Sequence, residues 1–391
     1  MLYDAVIIGA GLNGMLVYNA FKNIGLNVCI VEKNDILNNK FDDNRTIAIS
    51  QSTKTFLESL GLWKSLDENF GIINYIYTFE KTTKPILEFA GNEFLGGELG
   101  YIVLATNLLN VMFNNICKAD IISQDEILEI NQDNSICKLK TKNNLTIQSK
   151  MVIACNGKNS DFAKKFNIKS FKSSYNQKAI TFIANHTNNH NNIAVEQFSS
   201  VGPLATLPMK QRNQSGFVWS LRSDLADYIF NTNEEDFLNL LNNELQRVGC
   251  IGKILSTNDI ISKPRIYPLN IEFLLKKNYG RVIFIGDVLN AIHPVAGQAF
   301  NMSVNDIIAI CKSIKENIDI GLDFSLPVYL KETSFGIIKN HISLNLSTDL
   351  LVRGYSNNNN VAKIFRTISL EIFSSSKHLK SFAVKLATFG V

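Results

Sequence analysis

Long apolar runs are missing from this 391-residue chain: nowhere do about 18 apolar residues follow one another, so no segment reads as a membrane span. The start lacks the basic, apolar and small-residue succession of a secretory leader and carries Asp4 instead, so cytoplasmic residence is the expectation. Cysteine is sparse in the arrangements that carry chemistry. Cys29, Cys117, Cys137, Cys155, Cys250 and Cys311 contain no CxxC pair and sit mostly in apolar segments, which favours small core residues over a disulfide framework. Histidine is rarer still. His186 and His190 are four apart but lie in the polar run NHTNNHNN, so no metal centre is expected. Charge of either sign is nearly absent as a net quantity: the formal +4 is matched by the tail from Val361 to Val391 alone, where Lys363, Arg366, Lys377, Lys380 and Lys385 face only Glu371. No nucleic-acid partner is expected.

What the chain does have is a compact organising stretch from Tyr3 to Lys33. Ala5 to Ile8 is a short, β-branched apolar run of the kind that makes a buried strand, and it stops at Gly9-Ala10-Gly11-Leu12-Asn13-Gly14. Met15, Leu16, Ala20, Phe21 and Ile24 then recur at helical spacing, Gly25 stands where a helix-ending glycine belongs, and Val28 to Val31 is a second apolar strand that ends in Glu32. Each glycine has its own task. Gly9 permits the tight turn, Gly11 lets backbone approach a pyrophosphate, and Gly14 allows close packing of helix on strand. The helix start offers unpaired N–H groups to phosphate, and Glu32 is spaced to accept both hydroxyls of an adenosine ribose, which favours a cofactor without a 2′-phosphate.

Further along, Asp43-Asn44-Arg45 precedes a short strand and a helix with Phe56, Leu57 and Leu60 on one face. The Arg45 guanidinium suits either a surface carboxylate or a pyrophosphate. A buried strand, MVIAC, ends at Asn156-Gly157, so a second strand end can share the first loop's ligand. Between about Ala179 and Pro268 the pattern changes to strands with few helices, as in an antiparallel sheet that covers a substrate. Phe182, Phe198, Phe217 and Trp219 are open to two readings there, pocket lining or plain core. Arg281 to Ile285 is again a buried strand; it leads to Asp287, placed to accept a sugar or ribityl hydroxyl, and then to a helix beginning near Asn301. Backbone N–H groups from Gly297 to Asn301 would stabilise negative charge on a nearby ring. The tail is amphipathic and basic, which fits an anionic membrane surface at the inner face of a membrane and equally a helix packed on its own protein.

The segments GAGLNG with Glu32, DNRTIAISQSTKTFLESLGLW, GPLATLP with FVWSL, GDVLNAIHPVAGQAFN and STDLLVRGYSNN, in this order, resemble the ubiquinone-biosynthesis hydroxylase family of FAD-dependent aromatic monooxygenases over nearly the whole length. The resemblance implies an α/β fold: a Rossmann-like FAD-binding domain (1–73, 100–178 and 269–345), an inserted, mostly antiparallel β-sheet substrate domain (74–99 and 179–268) and a C-terminal helical tail (346–391). It also implies that Gly9, Gly11, Gly14 and Glu32 hold the ADP half of FAD, that Arg45 and Asp287 contact the cofactor, and that Pro294 and the run Gly297, Gln298, Ala299, Phe300 and Asn301 lie along the isoalloxazine. His293 would be either a proton relay or a loop histidine bonded to backbone. NADPH or NADH would reduce the flavin, and O2 would form a C4a-hydroperoxyflavin that hydroxylates a polyprenylated phenol or quinol. The same likeness allows membership of a quinone-synthesis complex. A second reading, a non-catalytic scaffold subunit, is prompted by Asn156, Asn290 and Ala299, where the family has other residues.

Overall fold

The computed structural model describes residues 2–80, 85–94, 97–158, 162–199, 201–246, 251–291 and 297–333. The chain begins with strand β1 (Leu2–Ile8), helix α1 (Leu12–Asn23) and strand β2 (Val28–Glu32). Helix α1 stops because Gly25 takes φ 84°, which lets the Gly25 and Leu26 N–H groups return to the Lys22 and Phe21 carbonyls and close the last turn. There follow β3 (Thr46–Ile49), α2 (Gln51–Ser59), β4 (Phe70–Ile73), β5 (Tyr75–Glu80), β6 (Leu87–Ala90), the single turn α3 (Gly91–Phe94), β7 (Gly100–Leu104) and α4 (Ala105–Asn114). A meander of β8 (Ile121–Ser123), β9 (Ile127–Gln132), β10 (Cys137–Thr141) and β11 (Thr146–Ala154) completes the first half.

The second half opens with β12 (Ser170–Asn185), β13 (Ile193–Phe198), β14 (Leu204–Pro208), β15 (Gln214–Arg222), α5 (Ser223–Asn231) and α6 (Glu234–Leu245). It closes with β16 (Arg265–Leu274), β17 (Asn278–Tyr279), β18 (Val282–Phe284), β19 (Asn290–Ala291) and α7 (Ala299–Asp319).

These strands make three sheets. The nucleotide sheet has the order β17-β18-β11-β1-β2-β8, with β18, β11, β1, β2 and β8 parallel and β10 and β9 attached beside β11. Its strands are apolar on both faces because α1 and α7 cover one side and the turn around Phe162 and Phe166 part of the other. The second large sheet, β19-β16-β12-β15-β14-β13-β5-β6, is mostly antiparallel. A small sheet, β3-β7-β4, lies between the two. Contact there is tight: a Cβ on Gly216 would meet the Thr46 methyl at 2.4 Å, and one on Gly71 would meet the Pro208 oxygen at 1.9 Å.

One long pair of strands, β12 and β16, is paired from Ser170 and Leu274 to Thr181 and Arg265 with one bulge between Ser174 and Gln177, so positions 178/179 and 268/269 fall inside strands. Two buried cations fix the far end of the nucleotide domain. Arg281 donates to the carbonyls of Lys150, Ser325 and Asn134, and Lys277 meets Asp306 of α7 at 2.6 Å. Burial pulls the Lys277 ammonium down to about 8 against the pull of Asp306. Such a pair is a poor source of stability, but it ties α7 to the segment that enters β17. A further helical segment covers residues 327–333, and the basic tail lies outside the described residues.

Candidate active site

Strand order reverses at β1, whose neighbours are β2 on one side and β11 on the other, and in open parallel sheets the crevice beyond such a reversal is where ligands bind. The C-terminal ends of four parallel strands meet at this edge: β1 runs into Gly9, β2 into Glu32, β11 into Cys155-Asn156-Gly157, and β18 into Gly286-Asp287.

Two of the three loop glycines are tightly enclosed and the third is open. Gly9 has φ 97° and its Cβ would strike Asn156 Cα and Cys155 O at 2.9 Å, so the two strand ends touch through it. At Gly14 a Cβ would lie 1.9 Å from the Gly9 oxygen. Gly11 is the N-cap of α1, and a Cβ there meets nothing within 4 Å. That open ground lies directly before the helix N-terminus, which has no side-chain cap and no acidic residue in its first turn. Gly286 crowds Asn13, whose Oδ1 is buried without a hydrogen-bond partner.

Glu32 is buried and already employed. Its Oε2 accepts from the Ala10 N–H at 2.8 Å, and its Oε1 accepts from the backbone and side-chain N–H groups of Asn34 at 2.9 and 2.8 Å. The carboxylate therefore braces the glycine loop, and its remaining lone pairs suit the two hydroxyls of a ribose. A diphosphate-bearing adenosine cofactor fits this cradle.

Arg45 grips Asp43 with two nitrogens, Nε at 2.9 Å and Nη2 at 2.6 Å, and also feels Asp287 and Tyr267. Burial opposes ionisation of Asp43, but the Arg45 fork outweighs it and holds the carboxyl below its usual range. Burial pushes the Asp287 carboxyl up, against the opposing influence of Arg45 and Lys158. Asp287 is thus under the opposing influence of burial and of two nearby cations.

The stretch from Gly297 to Asn301 begins α7, with Gln298 as N-cap and Ala299 and Phe300 in the first turn. Gly297 has φ 59° and its Cβ would come within 3.0 Å of Ala48 Cβ, so this loop abuts β3. The Asn301 side chain is a bracket: Nδ2 donates to Ala48 O at 3.0 Å and Oδ1 accepts from the Ser50 N–H at 3.0 Å. His293 and Pro294 lie outside the described residues.

Some contributors are not singled out by the sequence. The Thr106 hydroxyl accepts from the Asp43 N–H at 2.8 Å and donates to the Asp43 carbonyl at 2.9 Å, stitching the Arg45 loop to α4. Lys158 reaches the carbonyls of Pro268 and Asn270, tying the β11 end to β16 of the second large sheet. Asn290 pairs with Phe273 in the β19–β16 ladder, which gives it a structural task. Phe182, Phe217 and Trp219 take the core reading: they pack against α5 and α6, with Phe182 and Phe217 stacked at 4.8 Å. His186 bonds to Asn188 O and Ser215 Oγ, and among the described residues no cluster could hold a metal ion.

Comparison with known proteins agrees with this geometry. The family described as FAD binding domain matches residues 2–320. The chain is 26% identical to the ubiquinone hydroxylase UbiL of Rhodospirillum rubrum over 359 residues, covering 90% of this chain and 82% of that protein. It is 22% identical to the mitochondrial ubiquinone biosynthesis monooxygenase COQ6 of Dictyostelium discoideum over 448 residues, covering 98% and 90% respectively. Among solved structures, p-nitrophenol 4-monooxygenase PnpA from Pseudomonas putida superposes with a TM-score of 0.80 at 13% identity, covering 98% of this chain and 96% of that one. Klebsiella pneumoniae HpxO complexed with FAD and uric acid gives 0.78 at 12% identity, covering 99% and 97%. At such identities the structural likeness speaks for the fold.

Proposed function

Because this chain belongs to the FAD binding domain family, we propose that it is an FAD-dependent, NAD(P)H-consuming hydroxylase of ubiquinone biosynthesis whose substrate is a polyprenylated phenol or quinol. The observation that carries the reading is the end-to-end likeness to ubiquinone hydroxylases in a chain whose strand ends build an intact nucleotide cradle.

In this reading the N–H groups at the start of α1 hold the diphosphate, and Gly11 lets it come close. Glu32 takes the ribose, Arg45 and Asp287 take the polar chain between diphosphate and ring, and the backbone from Gly297 to Asn301 lies along the ring with Pro294 beside it. When bound, FAD supplies the redox chemistry, accepting a hydride from NAD(P)H and delivering one atom of O2 to an electron-rich ring. The protein's own work is to orient that ring, keep water out and manage the phenol proton. The large sheet, facing the nucleotide domain across the small one, is the surface on which the ring would rest.

The test is direct. Purified protein should be yellow, and a prenylphenol should accelerate both NAD(P)H oxidation and O2 uptake with formation of a hydroxylated ring. Protein that stays colourless after reconstitution with FAD, and never responds to a prenylphenol, would instead fit the scaffold reading.

A further inference from the structure

Glu196 sits in the middle of β13, and its direction is fixed by its neighbours. Gln197, next along the strand, donates to the Glu244 carbonyl of α6, so Gln197 points to the helix-covered face and Glu196 to the other. That other face looks at the nucleotide domain. Ala194, two residues earlier, packs with Ile73, Leu99 and Ile102, and Gly216 lies against Thr46.

The strand registers place Glu196 in one continuous row: Arg265 opposite Thr181, Thr181 opposite Val218, Val218 opposite Ala205, Ala205 opposite Glu196, and Glu196 opposite Thr78. Laterally paired residues share a face, so the row is a shallow floor of small side chains with a cation at one end and a carboxyl near the other. Arg265 cannot neutralise that carboxyl. It is four strands away, about 19 Å at the usual strand spacing, and it is held by Asp42 at 2.6 Å.

Resting on the function proposed above, we infer that Glu196 is the base that receives the phenol proton of the ring substrate. The phenol O–H bond breaks and a carboxyl O–H forms, leaving the electron pair on the phenolate oxygen, where it raises electron density at the ring carbon to be hydroxylated. Once the new hydroxyl is in place, the ring hydrogen leaves as a proton to water while its bonding pair restores the aromatic ring, and the carboxyl proton returns to the phenolate oxygen.

Burial lifts the Glu196 carboxyl to about 7, the range in which a carboxylate is a useful base at neutral pH. The charged and titratable groups on the surfaces that meet here include Glu80 on β5, Arg265 and Tyr267 on β16, and Asp43, Arg45, Lys54, Glu98, Lys158 and Asp287 on the nucleotide side. None of them contributes to that rise, which is due to desolvation alone. Read as a strand, IAVEQF offers no reason to single out Glu196, since a polar residue in alternation normally faces water.

The experiment compares wild type with Glu196→Gln and Glu196→Asp, each loaded with FAD, across neutral pH with a prenylphenol. For wild type, kcat should fall as pH drops below about 7, as the base is protonated. Glu196→Gln should keep its flavin and its KM, lose on the order of 10²-fold in kcat and show no such limb, while Glu196→Asp restores both rate and limb. A Gln variant with the wild-type rate and profile overturns the inference while leaving the function standing. A wild type that never turns over a prenylphenol overturns both. If the Gln variant loses its flavin, the Asp variant decides: turnover with a shifted limb supports the assignment, and near-complete loss of turnover overturns it.

Discussion

Two glycines only three residues apart serve opposite ends, and single methyl groups separate them. At Gly14 the added carbon would sit 1.9 Å from the Gly9 oxygen, so helix α1 must move away from β1 to admit it. At Gly11 it would enter open space, with φ −77° already suited to any residue. Gly14→Ala should therefore cost about 1–3 kcal/mol of stability through overpacking. Gly11→Ala should melt close to wild type yet lose FAD, because its methyl occupies the ground where a diphosphate approaches the helix start. Thermal melts read beside flavin absorbance distinguish the two, and equal melting points for both variants would contradict the close packing of helix on strand.

The Arg45 loop shows how an element is positioned by a residue elsewhere in the sequence. Thr106 opens no motif, yet its hydroxyl both accepts from and donates to the Asp43 backbone and so sets where Arg45 leaves the chain. Thr106→Val removes two hydrogen bonds of about 0.5–1.5 kcal/mol each, and the loop is freed rather than unfolded. FAD affinity should drop about tenfold, corresponding to about 1.4 kcal/mol, with Thr106→Ser near wild type; fluorescence titration of apoprotein with FAD measures both. The strand-turn-helix-strand unit was legible in the sequence because its signals are local, a period and three glycines. The helix expected near Asn301 starts at Ala299, and the strand expected at Arg281 to Ile285 is Val282–Phe284. What sequence could not convey depends on partners far along the chain. The Asn301 amide is committed to Ala48 and Ser50, some 250 positions away, and β12 runs on through the point where composition changes because β16 pairs with it on both sides. Phe182, Phe217 and Trp219 leave the pocket and core readings both open until α5 and α6 are seen to cover their face of the sheet.

Across the whole molecule, the two large sheets keep separate cores, and in the function proposed above a flat ring would be presented between the nucleotide cradle of one and the open face of the other. A polyprenyl chain attached to that ring would have to arrive from a bilayer, and among the described residues no helix is long and apolar enough to cross one. The segment whose sequence suits a surface role is the tail, which combines Lys363, Arg366, Lys377, Lys380 and Lys385 with the apolar Ile364, Phe365, Ile368 and Ile372 and, later, Leu379, Phe382, Ala383 and Leu386. Each basic group near an anionic leaflet contributes about 1 kcal/mol, enough together for reversible docking that salt would screen. Truncation after Asn360 should therefore lower co-sedimentation with anionic vesicles, most clearly at low salt. Flavin content should be unaffected, since the matched family region ends at residue 320. If the truncated protein still co-sediments like the full chain, the tail packs on its own protein; if it loses flavin as well, the tail is part of the fold that holds the cofactor.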